Sequence, residues 1–138
     1  MIREYVYIFG AASPQDGQHD SLILPVANTE TMSLFLEEVR NRHPDEYILM
    51  FMDQAGWHTA SKLKLPKNME LAFLPPYSPE LNPQEQIWDE LREKYLGNRL
   101  FDTLEGVIDA AADGLRALER QTDKIKSLTH RTWILEPF

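Results

Sequence analysis

Along the chain the pattern of apolar and polar residues reads as strands first and helices last. Residues 3–12 are rich in aromatic and β-branched side chains and predict a strand. Ser13-Pro14-Gln15-Asp16-Gly17 predicts a turn, because proline presets φ and glycine admits φ > 0. Residues 20–26 read as a returning strand, so the two segments predict a hairpin. Asn28 or Thr29 is placed to cap a helix on which Met32, Phe35, Leu36 and Val39 recur at helical spacing, and His43-Pro44 ends it. The continuous apolar run 47–52 leads into Asp53 and predicts a strand covered on both faces, near the middle of a sheet.

A short helix over 58–65 follows, broken by Pro66-Lys67-Asn68, and then a buried strand over 69–74. Pro75-Pro76-Tyr77-Ser78-Pro79 is a loop, since its three prolines remove ladder donors. Asn82-Pro83-Gln84-Glu85 predicts a helix start with Asn82 as N-cap, Pro83 in the first helical position and Glu85 three residues after the cap. Trp88, Leu91 and Tyr95 continue that helix, with Trp88 in its core face. A second cap within 102–105 opens a helix whose apolar face carries Leu104, Val107, Ile108, Ala111, Leu115 and Leu118. The tail from 123 predicts one more helical turn, with Trp133, Ile134 and Leu135 docking on the body. The pattern is that of one α/β layered domain over residues 1–138.

Composition narrows the function. No apolar run approaches the roughly 20 residues of a membrane span, and the start lacks the apolar stretch of a signal peptide. With no cysteine, thiolate metal sites, disulfides and cysteine nucleophiles are excluded, in keeping with a reducing, cytoplasmic setting. The formal charge of −8 makes non-specific nucleic-acid binding by the whole surface a poor reading, so any DNA role needs a local site or another polypeptide.

Two acids stand where chemistry is available. Asp53 ends a predicted buried strand, and the carboxyl ends of strands are where α/β sheets bind ligands. The same position also suits an Asp that merely caps the next turn. Glu85 is fully explained by the capping box, which at such a position is the commoner role. A short strand and two loops separate the two acids, a connection able to bring a helix start beside the strand end. Two carboxylates at close range repel unless a cation lies between them, and oxygen ligands favour Mg²⁺ or Mn²⁺.

Met52-Asp53-Gln54-Ala55-Gly56-Trp57-His58, then Pro75-Pro76-Tyr77-Ser78-Pro79-Glu80-Leu81-Asn82-Pro83-Gln84-Glu85 and Trp88, resembles the DDE-type transposases of mariner-like insertion sequences. The resemblance implies a ribonuclease H-like mixed sheet with helices on both faces. It makes Asp53 the second catalytic acid and Glu85 the third, both metal ligands, at a spacing slightly shorter than the family's usual one. It implies DNA transposition by metal-dependent phosphoryl transfer, with two Mg²⁺ ions roughly 3.5–4 Å apart activating first a water and then a DNA 3′-hydroxyl. His58 matches a histidine common in the family and is either a DNA or acid contact or an ordinary polar residue of a first helical turn. Lys62, Lys64 and Lys67 form the one dense basic run, either a phosphate contact or a solvated face.

In that family the first acid lies on a central strand preceding the hairpin, and helix-turn-helix units that recognise transposon ends lie further upstream. Neither has a counterpart here, so the expectation is the C-terminal part of a prokaryotic transposase catalytic domain, lacking the first strand. Such a chain should bind Mg²⁺ or Mn²⁺ weakly and be inactive alone. An alternative is a non-catalytic fragment that associates with a full transposase. A receiver-type phosphoacceptor domain fits less well, because it needs an early acidic pair and a late strand-end lysine. Loss of a central strand would leave strand edges open, so self-association is expected over internal closure of the sheet.

Overall fold

The hairpin forms around the predicted turn. In the computed structural model, which describes residues 6–52, 63–73, 82–97, 101 and 103–130, β1 (Tyr7–Ser13) and β2 (Gln18–Leu24) pair antiparallel from Tyr7↔Leu24 to Ser13↔Gln18. The turn between them closes through the Gly17 amide on the Ser13 carbonyl at 2.8 Å, and Gly17 takes φ 75°. A β-carbon there would lie 2.0 Å from the Thr122 carbonyl oxygen, so both backbone and space require glycine.

Asn28 caps α1 (Thr29–Arg42) through a reciprocal box. The Thr31 amide donates to Asn28 Oδ1 at 2.9 Å, and the Asn28 amide donates to Thr31 Oγ1 at 2.8 Å. The predicted apolar stripe of Met32, Phe35, Leu36 and Val39 is buried, and the helix ends at His43. β3 (Ile48–Met52) and β4 (Met69–Phe73) pair in parallel, Ile48 with Met69 through Met52 with Phe73.

Around these strands the structure departs from the pattern in two places. The apolar run is not covered on both faces: Met50 and Met52 are buried, whereas Leu49 is 52% and Phe51 38% exposed. A run of apolar residues carries no period, so it cannot tell a half-covered strand from a fully covered one. Residues 63–65, expected to finish a helix, are not helical. The Lys64 amide there donates to Ser33 Oγ on α1 at 3.0 Å, a long-range bond that replaces the helical one.

The start of α2 (Gln84–Leu91) also shifts. Pro83 is its N-cap, with φ −63° and ψ −20°, and no side-chain hydrogen bond caps this end. Proline supplies its preset φ as expected, but Glu85 becomes the second helical residue and the expected capping box does not form. A π-helical turn, Arg92–Leu96, continues α2 to Gly97. Thr103 caps α3 (Leu104–Glu119), its Oγ1 accepting from the Gly106 amide at 3.0 Å. α4 (Thr122–Thr129) provides the extra helical turn, extended to eight residues. Trp133, Ile134 and Leu135 lie outside the described residues.

The result is a mixed α/β protein with four α-helices and two small sheets, β1-β2 and β3-β4, among the described residues. No helix among them is long and apolar enough to cross a membrane. The chain forms two compact units, residues 1–25 with 83–138, and residues 26–82. In the first, Ile87, Leu91, Leu115, Leu118 and Ile125 make a core of at most 3% exposure, against which Ile8, Ala12 and Ile23 of the hairpin pack. In the second, the buried side chains are the α1 stripe and Met50, Met52 and Met69 of the strands.

Candidate active site

Glu85 lies in the first turn of α2, half-buried, where a carboxylate interacts favourably with the helix dipole. Its direction follows from how α2 seats on the hairpin. The stripe Gln84, Ile87, Leu91 is buried, and Trp88 packs against the same core, so Glu85 flanks the seam.

Gln84 and Trp88, one turn apart, meet the hairpin at Gly10. A β-carbon on Gly10 would stand 2.6 Å from Trp88 Cη2 and 2.7 Å from Gln84 Nε2. His19 lies on the same sheet face, because its register partner Ala12 and Gly10 are two residues apart on β1. Its ring is 4% exposed, its Nε2 is 2.9 Å from Gln84 Nε2, and it meets Trp88 edge-on at a centroid distance of 6.3 Å. With an amide N–H as donor, His19 Nε2 accepts, which places the ring proton of the neutral form on Nδ1.

Sequence reasoning passed over Gly10, His19 and Gln84. The available signal was a glycine inside a strand, which marks a close approach by another element. Which element approaches depends on contacts across 65 residues of sequence, and these leave no local pattern.

The other expected site residues divide by position. Asp53, His58 and Lys62 lie outside the described residues. Lys64 and Lys67 are exposed beside Pro66, in the unit formed by 26–82. Among the described residues, no group of three or more His, Asp or Glu side chains gathers to hold a metal. Glu85 offers carboxylate oxygen, the donor type that a hard divalent cation takes.

A second ionic cluster lies further along α2. The nearly buried Glu90 carboxylate pairs with Lys124 and, at 3.1 Å, with Lys94. The hydrogen bond from Lys124 holds Glu90 below the usual glutamate range; burial opposes this, and Lys94 adds to it. Reciprocally, the Glu90 contact raises the Lys124 pKa. This cluster joins α2 to α4 and is structural.

The chain belongs to the DDE superfamily endonuclease family, which it matches over residues 3–108. It is also 40% identical over 130 residues to the uncharacterized protein y4pE/y4sA of Sinorhizobium fredii (strain NBRC 101917 / NGR234), covering 94% of this chain and 96% of that protein. No solved structure matches it.

Proposed function

We propose that this chain carries a mariner-like transposase catalytic domain of ribonuclease H-like fold, acting in DNA transposition as a single functional domain over residues 1–138. The observation that carries the reading is the match of Asp53 and of the loop-and-helix segment ending in Glu85 to the family's motif, within a chain that belongs to the DDE superfamily endonucleases. Glu85, freed from a capping box and flanking the buried seam of α2, offers its carboxylate as a ligand.

In this reading Asp53 and Glu85 hold Mg²⁺ or Mn²⁺. The metal supplies Lewis-acid activation of a water or 3′-hydroxyl and stabilises the leaving oxygen. In the hydrolytic step the water oxygen bonds to phosphorus and the P–O3′ bond breaks, leaving a 3′-hydroxyl and a 5′-phosphate. His58 and the lysines Lys62, Lys64 and Lys67 contact the DNA locally, which an overall charge of −8 makes necessary. The motif matches two acids in this chain, and two carboxylates hold a divalent ion more weakly than a larger oxygen set, so metal binding is expected to be weak and no strand transfer is expected of the chain alone. A second copy of the chain is its partner, supported by the exposed Tyr47 and Leu49 on and beside β3, and it works in the cytoplasm of a prokaryotic cell.

The test is Mn²⁺ titration followed by electron paramagnetic resonance, on the wild type, Asp53→Asn and Glu85→Gln. The expected result is weak binding that either substitution abolishes. Binding that survives both substitutions would overturn the assignment. The reading as a non-catalytic associating fragment shares the same scaffold but needs no metal at Asp53 and Glu85, so weak Mn²⁺ binding that either substitution abolishes separates the two.

A further inference from the structure

The geometry points to a positioning clamp in which Gly10 and His19 of the hairpin grip Gln84 and Trp88 and so set the rotation of α2 that aims Glu85; its functional meaning rests on the reading of Glu85 as a metal-binding acid. Three facts carry it. Gln84 precedes Glu85 directly, so any rotation of one about the helix axis turns the other by the same angle. Gly10 provides a notch that a single β-carbon would fill, lying within 2.7 Å of both Gln84 and Trp88. His19 and Gln84 are both buried and meet at 2.9 Å, well inside hydrogen-bond range.

The apolar seam alone does not set that rotation. Ile87 and Leu91 dock α2 on the core, but aliphatic contacts are non-directional and tolerate a turn of the helix with modest repacking. A buried imidazole and a buried amide each carry a desolvation cost unless they meet a partner. Rotation of α2 would separate them and push Trp88 out of the Gly10 notch. An apolar pair at positions 19 and 84 would dock the helix without that cost, so the polar pair is explained by direction rather than by stability. His19 and Gln84 are positioning residues: they act on the site through the helix.

The test measures N–H residual dipolar couplings along α2 and the hairpin in the full chain, together with Mn²⁺ titration. The periodic variation of these couplings along a helix reports its rotation about its own axis. Gln84→Ala and Gly10→Ala are expected to change the phase of that variation relative to the hairpin. His19→Gln, whose amide still reaches Gln84, is expected to preserve it. Gln84→Ala should also raise the Mn²⁺ dissociation constant about tenfold, as loss of a supporting contact behind a ligand does. An unchanged phase in Gln84→Ala, with only a lower melting temperature, overturns the clamp, and this milder variant decides even where Gly10→Ala does not fold. A wild type that binds no Mn²⁺ overturns the assignment of Glu85, while the phase still decides whether the clamp sets the helix.

Discussion

The two units of this chain solve burial differently. In the unit of residues 1–25 and 83–138, aliphatic side chains from three helices and a hairpin close on one another, with Ile87, Leu118 and Ile125 at 0% exposure. The unit of residues 26–82 buries one face of α1 and three strand methionines. It also carries seven of the eight large exposed hydrophobics among the described residues, Val26, Leu34, Tyr47, Leu49, Phe51, Leu65 and Phe73. Methionine fills irregular space without demanding a close fit. The first unit holds the fully buried aliphatic core, and in the proposed reading it carries Glu85. The second presents apolar surface suited to association.

The comparison is most easily broken at the first unit's core. Leu118→Ala is expected to cost about 2–5 kcal/mol, because a fully buried leucine leaves a cavity that packed helices cannot close. Urea unfolding followed by tryptophan fluorescence measures it, and a loss below 1 kcal/mol would mean that this core is loose.

An intermediate effect is expected from pH. Glu90 has a folded pKa below its unfolded one, so its contribution is complete above the ordinary glutamate range and fades as pH falls through the depressed value. Glu90→Gln should be less stable than wild type near neutrality, and the two unfolding curves should converge on acidification. Parallel curves at every pH would show that the contacts to Lys94 and Lys124 contribute nothing.

The smallest effect sharpens the contrast from the other side. Leu49→Ser, on the exposed face of β3, should change stability by no more than about 0.5 kcal/mol. It should nevertheless weaken self-association in sedimentation at micromolar concentration. A wild type that sediments as a monomer would remove the second copy from the proposed function.

Much of this molecule is local and was legible in the chain. The hairpin turn needs a proline and a glycine at set positions, and the cap of α1 needs Asn28 and Thr31 three residues apart. Such bonds close within a few residues, so short sequence patterns specify them. Asp53 and Glu85 were legible as a motif, a statement about residue order rather than about geometry. The tertiary structure alone decided that one face of β3 stays exposed, that the Lys64 amide bonds Ser33 rather than a helical carbonyl, and that Gly10 receives α2. The pairing of His19 with Gln84 joins residues 65 positions apart, and its worth depends on desolvation by elements that neither residue specifies. Periodicity records which face of an element is apolar. What covers that face, and at what angle, is set by packing between distant segments.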